Sequence, residues 1–435
     1  MDNAKVLGDG ISTAGEIALK SVTLYDGQRN RKYNLDSIFL ELDLYEDLYS
    51  PCLTGTITIV ESLNLISGIP ILGEELLEIE FCTPTLDASP FKKQFYVTKI
   101  ENRNHRGDKT QMYVLHFMAV EGITDLNKKL SKAYSGNASD IVKRIYETEL
   151  KQSDDLEVDI SNSNIKFVSP YWSPFQCINF ATSRCLFPHT SINVPNYLFY
   201  QTNKKFKLKS LTNLFSQDIF MTYFFDKNPA RIHQKDGTSV RNIQREYQTI
   251  KELYYTSSQD YINQNMRGTF SHKVFGINLF RKQISKNLYN YSTDFNKTLH
   301  LDKFPLQSPN LPLSKENGLI ESRIVSPQKF DGFGDKSDDI VSKRVSLLSQ
   351  LEMYKLDLVV WGRTDIEVGM VINFVMNEFK EVEKDEQNIS KYDPYYSGKY
   401  LITAIQHRIT QSRHQMTMQI VKDSSPNQID FNRSI

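Results

Sequence analysis

Apolar and polar residues alternate with a period of two through both ends of the chain. Residues 38–44 place isoleucine or leucine at every second position, and residues 56–60 form a run rich in β-branched side chains. A period of two is typical of a strand with one solvated face, and β-branched residues favour strands. Similar runs follow at 76–81, 95–100 and 112–120. We therefore predict a β domain over 18–122.

The period changes to that of a helix in the middle of the chain. Residues 138–150 carry apolar side chains on one helical face, and Ser-Pro-Phe-Gln at 173–176 is a helix start with a capping box. Residues 197–200 and 206–208 have the pattern of a hairpin. These elements predict a mixed α+β peripheral domain over 123–248, the last part of it a connector.

Strand patterns return at 249–300 and again at 353–425. Between them, 301–338 is rich in proline and glycine and is predicted to be an irregular surface loop. A helix at Val341, Val345 and Leu348 follows, so that the loop-rich insertion and helix span 301–352. The charged run near 377–391 is predicted to be a solvated loop. The ends of the chain are predicted to be a flexible arm at 1–17 and a tail at 426–435.

The two β-rich regions match each other at three places in the same order. The first match aligns Asp47…Gly55-Thr56 with Asp260…Gly268-Thr269, which also places Leu40 and Leu42 on Leu253 and Tyr255. The second aligns Gly73…Leu76 with Gly369…Ile372, and the third aligns 97–103 with 402–408, followed by Gln-Met at 111 and at 415. The extra residues of the second region fall in loop-like sequence, as expected after a duplication. We predict two copies of one β domain; the alternative is two unrelated β domains.

Composition narrows the functional classes. The 435 residues suffice for two to four domains, and 52 Lys and Arg residues balance 52 Asp and Glu residues, which argues against a nucleic-acid binder that relies on high positive charge. The cysteines are widely spaced and are expected to be free or buried thiols; they are Cys52, Cys82, Cys177 and Cys185. The sequence has neither the apolar core of a signal peptide at its start nor an apolar run of about 18 residues, so we expect synthesis in a cytosol and no membrane span.

Motifs of catalysis are missing from the sequence. We find no phosphate-binding or dinucleotide-binding glycine loop, no zinc-ligand spacing and no nucleophile elbow. His407 and His414 flank a predicted hairpin and are interpreted as surface or packing residues. Glu74 and Glu75 make a poor glycosidase pair, because adjacent strand residues face opposite sides. We therefore predict no catalytic, cofactor-binding or metal-binding residues, no cofactor and no enzymatic activity.

The order of these elements resembles the baseplate hub protein of contractile-tailed bacteriophages, a family related to the hub portion of type VI secretion spikes. The segments that carry the resemblance are Asp47 with Gly55-Thr56, Ser-Pro-Phe-Gln at 173–176, the hairpin at 197–208, Val-Gly-Met-Val-Ile at 368–372, Gly-Lys-Tyr-Leu-Ile-Thr at 398–403 and His-Arg-Ile-Thr at 407–410. The resemblance covers about 20–425, and 301–338 and 377–391 are where the chain departs from the general pattern.

The resemblance implies a β-rich α+β fold with two duplicated tube-type β-barrel domains, a small mixed α+β domain and a loop-rich insertion. The implied tube-building strands are 38–48, 54–60, 95–103 and 111–120, with counterparts at 251–262, 268–275, 400–409 and 415–421. It also implies a structural virion protein. Three copies would form a homotrimer with pseudo-six-fold symmetry, because each contributes two tube domains.

The implied partners are a trimeric spike protein, the hexameric tail tube or its initiator, and baseplate wedge proteins. DNA would pass through the channel without sequence-specific binding, and the implied location is the tail baseplate of the virion. Two alternatives stay open at this point: a tail-associated cell-wall hydrolase, and a host-receptor-binding protein of the tail tip.

Overall fold

The computed structural model describes residues 11, 13–62, 65–68, 71–84, 90–106, 109–151, 155–188, 193–225, 231–233, 239–258, 260–279, 281–307, 318–324, 337–377 and 392–428. The strands, numbered in chain order, are β1 (Ala18–Tyr25), β2 (Lys32–Asn34), β3 (Phe39–Asp47), β4 (Thr54–Glu61), β5 (Leu76–Cys82), β6 (Phe91–Arg106), β7 (Thr110–Ala119), β8 (Ala133–Asn137), β9 (Leu156–Val158), β10 (Asn164–Val168), β11 (Phe187–Pro188), β12 (Asn193–Val194), β13 (Tyr197–Gln201), β14 (Phe206–Ser210), β15 (Thr222–Phe225), β16 (Arg231–His233), β17 (Ser239–Arg241), β18 (Glu252–Ser258), β19 (Ser271–Asn278), β20 (Gln283–Asn290), β21 (Phe304–Pro305), β22 (Leu319–Ile324), β23 (Tyr354–Trp361), β24 (Val371–Met376), β25 (Gly398–Ile409), β26 (His414–Lys422) and β27 (Ser424–Ser425).

The helices are α1 (Leu65–Gly68), α2 (Val120–Asn127), α3 (Ala138–Ile145), α4 (Pro174–Thr182), α5 (Leu211–Phe215), α6 (Ile243–Tyr247), α7 (Tyr261–Met266), α8 (Tyr291–Asp294) and α9 (Ser337–Gln350). A π-helical turn (Tyr146–Leu150) continues α3, and a 3-10 turn (Phe295–Lys297) continues α8.

One 13-stranded sheet is the centre of the fold. Its order is β18-β23-β26-β25-β3-β4-β7-β6-β5-β1-β2, with β24 paired to β25 and β15 paired to β24. We call β1 to β7 the first unit and β15, β18 and β23 to β26 the second unit. The protein is thus β-rich with a large, mainly antiparallel sheet and little helix, as the sequence predicts.

Each unit folds its sheet around a separate apolar core. In β4 the inward positions are Gly55, Ile57 and Ile59, and every second residue between them is only half-buried. The second unit buries Leu356, Leu358 and Val360 on β23 at the same spacing, and Val359 near the end of the strand is buried as well. The period of two in the sequence therefore arises as expected, because each unit buries one face of its sheet.

The strand order of the two units is the same over six strands. The first unit reads β3-β4-β7-β6-β5-β1 and the second reads β18-β23-β26-β25-β24-β15. They differ in direction at the last strand, because β1 pairs antiparallel with β5 while β15 pairs parallel with β24. A β-bulge interrupts β6 at Thr98 and β25 at Thr403, and the pairs on either side agree with the predicted match of 97–103 with 402–408 as far as Glu101. Beyond it the match is wrong by one residue, because a second bulge in β6 makes Asn104, and not Arg103, the counterpart of Arg408.

The match of Gly55 with Gly268 is wrong. The position of β4 is held in the second unit by β23, which pairs with β18 and β26. The segment 268–275 leads instead into β19, which lies between β20 and β22 in a separate three-stranded sheet. By strand register Leu253, which lies opposite Leu358, corresponds to Leu42 rather than to Leu40. The error arose because β3 and β4 are joined by a tight connection, whereas β18 and β23 are separated by the whole of 259–353.

The peripheral elements follow the sequence prediction closely. Asn137 caps α3 by accepting a hydrogen bond from the amide of Ser139, and Ser173 and Gln176 form the predicted capping box of α4. The predicted hairpin is β13 paired antiparallel with β14. Helices α3 and α4 pack with this hairpin around a third apolar core that includes Ile141, Ile178 and Phe206.

The predictions of a flexible arm at 1–17 and of an irregular surface loop at 301–338 are corrected. Ile11 and Ala14 are buried against Tyr247, whose hydroxyl accepts a hydrogen bond from the amide of Gly15 at 3.0 Å. The described part of the arm is therefore packed, while 1–10 lies outside the described residues. Within the insertion Leu301 is buried, β21 pairs with β27, and β22 joins β19. Proline and glycine content marks turns, but it does not reveal whether the segments between them add strands to a sheet. Residues 308–317, 325–336 and the charged run 378–391 lie outside the described residues.

Candidate assembly interface

The two units meet in one strand pair, which makes their sheets continuous. β25 lies antiparallel to β3, from Ala404 opposite Asp47 to Ile409 opposite Leu42. The amide of Leu48 extends the pairing by donating to the carbonyl of Thr403 at 2.8 Å. We call residues 404–409 and 42–47 the joint.

Polar side chains cross the joint on its solvated face. Asp43 Oδ1 accepts hydrogen bonds from Gln406 Nε2 at 3.0 Å and from Arg408 Nε at 3.1 Å. Arg408 Nε also lies 3.3 Å from Glu41 Oε1. The hydrogen bond and charge of Asp43 raise the pKa of Arg408 above its ordinary value, so the guanidinium stays charged. This face fixes the register of the two units through charge-assisted hydrogen bonds.

A buried polar cluster lies on the other face of the joint. Glu46 is 1% exposed, and its carboxylate accepts backbone N–H bonds from Asn203 at 3.0 Å and Val368 at 3.3 Å. His407 Nδ1 and His414 Nε2 are 3.0 Å apart, and both rings are buried. Burial, and then the neighbouring His407, lowers the pKa of His414 well below its ordinary 6.5. The packing interpretation of the two histidines is thus confirmed, and the surface interpretation is wrong.

The hairpin of β13 and β14 connects the peripheral domain to both units. We call residues 197–210 the clamp hairpin. Gln201 Oε1 accepts the N–H of Leu53 in the first unit at 2.9 Å. Beside the second unit, Lys204 Nζ and Lys207 Nζ bond the two oxygens of Glu367 at 2.7 and 2.9 Å. Since Glu46 also receives the N–H of Asn203, the turn of this hairpin lies where the two units meet.

Glu367 is the buried centre of the ion-pair network. Its side chain is 4% exposed, whereas those of Lys207 and Lys204 are 15% and 38% exposed. Burial alone would raise the pKa of Glu367, but the charges and hydrogen bonds of Lys207 and Lys204 outweigh it and lower this pKa below 4.5. The carboxylate is therefore ionised in the folded protein.

Glycine turns precede corresponding strands in both units. Gly73 and Gly369 have φ of 96° and 84°, in the left-handed region. The Val97 amide donates to the carbonyl of Glu75, and the Ile402 amide donates to the carbonyl of Met370. This register makes Glu75 the counterpart of Met370, so the predicted glycine match is shifted by one residue.

The residues considered for catalysis have structural roles. Glu75 is buried, and its carboxylate accepts the amides of Leu72 at 2.7 Å and Gly73 at 2.9 Å, which closes the turn before β5. The four cysteines are free thiols. Among the described residues, no group of three or more His, Cys, Asp or Glu side chains is arranged to hold a metal ion. No helix in the described part of the chain is long and apolar enough to cross a bilayer.

Sequence reasoning missed the clamp hairpin contacts. Nothing local marks Glu367 as the partner of Lys204 and Lys207, which lie far away in the chain. The available signal was the alternation of lysines at and after the start of β14: every second residue of a strand shares a face, so Lys207 and Lys209, with Lys205 just before the strand, form one basic stripe.

Comparisons with known proteins agree with the predicted resemblance. A probable baseplate hub protein, gp334 of Vibrio phage KVP40, is 21% identical over 408 residues, which cover 91% of this chain and 92% of that protein. No family model matches the chain.

Solved structures of tail proteins share the fold. The 43 kDa tail protein of prophage MuSo2 from Shewanella oneidensis has a TM-score of 0.54 at 8% identity, and covers 93% of this chain and 99% of its own. A tail protein from Neisseria meningitidis MC58 has a TM-score of 0.53 at 10% identity, covering 93% and 96%. Over nearly its whole length, the chain is similar in sequence to a phage baseplate hub protein and in fold to phage tail proteins, which confirms the resemblance.

Proposed function

We propose that the protein is the central hub of a tail baseplate, a structural virion protein without catalytic function. Three copies form a closed ring that joins a trimeric spike to a hexameric tail tube, and DNA passes through its channel. The similarity to a probable baseplate hub protein supports the hub assignment. The strand order shared by the two units supports the symmetry.

Six-fold geometry from three chains requires the two units to be duplicated tube-type domains. Two unrelated β domains would have no reason to share a six-strand order and a bulge at equivalent threonines, Thr98 and Thr403. If the units are copies, three chains present six similar domains. A ring of six matches a hexameric tube, while the three chain copies match a trimeric spike. The duplication thereby resolves a mismatch of symmetry between the two partners.

The polar face of the large sheet is our candidate for the channel wall. Thr56, Asp43, Arg408 and Gln415 lie opposite one another in a row across four strands, β4, β3, β25 and β26. Their neighbours on this face include hydroxyl and amide side chains, while the other face is buried in the two cores. A wall of polar side chains with mixed charges lets a polyanion pass without the multiple cationic contacts that hold DNA.

The domain boundaries carry over into this proposal. We assign 18–122 and 249–300 with 353–425 to the tube-type domains, with two corrections: β15, at 222–225, belongs to the second tube-type domain, and 271–290 lies in the separate three-stranded sheet of β19, β20 and β22. The peripheral domain, 123–248, contacts baseplate wedge proteins or the spike from outside the ring.

The test is the molar mass of the purified chain, measured by light scattering alone and after addition of the spike protein of the same virus. We expect three chains of 50.4 kDa in each particle, either for the protein alone or, after the mass of the bound spike is subtracted, in the complex with the spike. A chain that stays monomeric with both spike and tube proteins present contradicts the proposal. Clearing of purified peptidoglycan that one carboxylate substitution abolishes would favour the hydrolase alternative instead.

A further inference from the structure

We propose that residues 99–105 of β6 and residues 252–258 of β18 are the two halves of a second joint, which is completed between neighbouring copies of this chain. The inference rests on the proposed trimer and identifies its subunit interface. The two units differ at one strand edge: β3 covers this edge of β25 in the second unit, whereas the same edge of β6 in the first unit is not covered by a described strand.

The occupied edge is on β25. This strand pairs with β24 over 398–401 and with β26 over 401–409, and beyond the bulge its other edge is covered by β3. β6 is built the same way, with β5 alongside 91–96 and β7 alongside 95–106. Within the described residues, however, no strand covers the β5 side of β6 beyond its bulge. β6 therefore has an open edge where β25 holds β3.

Side-chain burial follows this difference. Ile405 and Ile409 on β25 are 1% and 0% exposed. Their counterparts by strand register are Ile100, which is half-buried, and His105, which is exposed. The same strand position is thus buried where a partner strand is present and exposed where it is absent.

The matching open strand is β18. It occupies the place of β3 in the strand order, and among the described residues it pairs with β23 alone. β3, in contrast, is paired on both sides, with β4 and with β25. β18 also exposes Tyr254 and Tyr255, at 54% and 48%. Large exposed aromatics beside an unpaired edge are typical of an interface.

Applying the register of the joint to β6 and β18 gives the residue pairs that face each other between neighbouring copies. Arg408 lies opposite Asp43 in the joint, and by strand register Asn104 corresponds to Arg408 while Tyr254 corresponds to Asp43. Asn104 of one copy thus lies opposite Tyr254 of the next. Two residues further from the bulge, the positive charge of Arg106 comes opposite Glu252.

The open edge of β6 also carries features that prevent indiscriminate pairing. Lys99 and Glu101 place charges along it, and Asn102, with φ of 53°, forms a second bulge. Charges and bulges on an edge strand oppose pairing with arbitrary strands. The contact is head-to-tail, since β6 and β18 are different surfaces. It therefore repeats around a ring, and three chains close it with three internal joints and three between copies.

The experiment is a disulfide trap in the full-length chain carrying Asn104→Cys and Tyr254→Cys. Directly opposed residues of antiparallel strands have Cβ atoms about 5 Å apart, close enough for a disulfide after a small adjustment. Mild oxidation should link three chains into a covalent ring, seen on non-reducing gels. The matched control is Thr98→Cys with Tyr254→Cys, which lies six residues away along β6, roughly 20 Å, and should not cross-link.

Molar mass distinguishes failure of the proposed joint from failure of the proposed trimer. A three-chain particle in which the opposed pair does not cross-link, or cross-links no better than the control pair, overturns the proposed joint and leaves the hub function standing. A particle that never exceeds one chain overturns both. For the unsubstituted protein, hydrogen exchange gives an independent reading: amides of 99–105 and 252–258 should gain protection when the trimer forms, and unchanged exchange at both segments contradicts the joint.

Discussion

Removing the charge of Glu367 is the sharpest test of how the clamp hairpin holds the two units. The substitution Glu367→Gln keeps the shape and one acceptor oxygen but places an uncharged amide between Lys204 and Lys207. The carboxylate is 4% exposed, and both of its oxygens bond lysine ammonium groups. The variant therefore leaves two cations beside the joint without their partner.

The size of the effect follows from burial. Breaking a buried ion pair by removing one partner costs about 3–5 kcal/mol. Lys207 and Lys204 are 15% and 38% exposed and can turn partly towards water, so we expect about 2–3 kcal/mol. If the loss is local to the hairpin, amides of 202–207 exchange roughly 30 to 150 times faster.

The assay is hydrogen exchange followed by mass spectrometry, with Glu157→Gln as the matched control. Glu157 also bonds two lysines of the clamp hairpin, Lys205 and Lys209, but its side chain is 38% exposed. Exposed pairs contribute about 0–1 kcal/mol, so the control should change exchange by less than about fivefold. An increase below about threefold for Glu367→Gln, or equal effects of the two variants, would refute the reasoning.

Lowering the pH should remove the stabilisation that the Glu367 carboxylate provides. Because the pKa of Glu367 in the folded protein is lowered below 4.5, its stabilisation is complete above that pH and is lost as the pH falls through the folded value. The difference in exchange between the unsubstituted protein and Glu367→Gln should therefore shrink as the pH is lowered below 4.5. A difference that stays constant down to the acid-unfolding range would contradict the assignment of charge to this site.

Three further predictions test the joint and its surroundings. Because His414 is buried with its pKa well below 6.5, the unfolded chain binds a proton below pH 6.5 that the native chain does not bind. The free energy of unfolding should therefore fall below pH 6.5 by at most about 1.4 kcal/mol per pH unit. The substitution His414→Gln should flatten this pH dependence. Ile405→Ala should cost about 2–5 kcal/mol in denaturant unfolding, and Ile100→Ala less than half of that in the single chain. Gly369→Ala should cost about 1–2 kcal/mol for its φ of 84°, and more because the added Cβ would lie 2.6 Å from Tyr200 Oη.

Each of these three predictions has a result that would contradict it. An unchanged pH slope in His414→Gln would mean that other groups cause the loss of stability below pH 6.5. Equal costs for Ile405→Ala and Ile100→Ala would mean that β6 is as well covered as β25 in the single chain. Gly73→Ala is the matched control for the backbone effect, because Gly73 has a φ of 96° and no atom lies closer than 3.7 Å to an added Cβ; a cost there as large as for Gly369→Ala would contradict the contact with Tyr200.

The elements predicted correctly from the sequence are those with local causes. The cap of α4 involves Ser173 and Gln176, which are three residues apart, and β13 and β14 are joined by a short turn. The match of 97–101 with 402–406 held because both segments carry the same bulge at the same place in their strand pairing.

Non-local pairings could not be predicted in the same way. Any half-buried strand alternates, so alternation alone cannot distinguish β19 from β23 as the neighbour of β18. The contacts of Glu46 and Glu367 join residues far apart in the chain, and no pattern in the sequence specifies such partners. The burial of Ile11 likewise depends on Tyr247, on a distant helix.

The central claim is that three copies of two similar units produce six-fold geometry, and a cryo-electron microscopy reconstruction of the purified particle without imposed symmetry tests it most directly. We expect six sheet segments around one channel, with neighbours related by rotations close to 60° and β18 of each chain beside β6 of the next. A ring whose first and second units lie at clearly different radii or angles, so that only three-fold order remains at the channel wall, would contradict it.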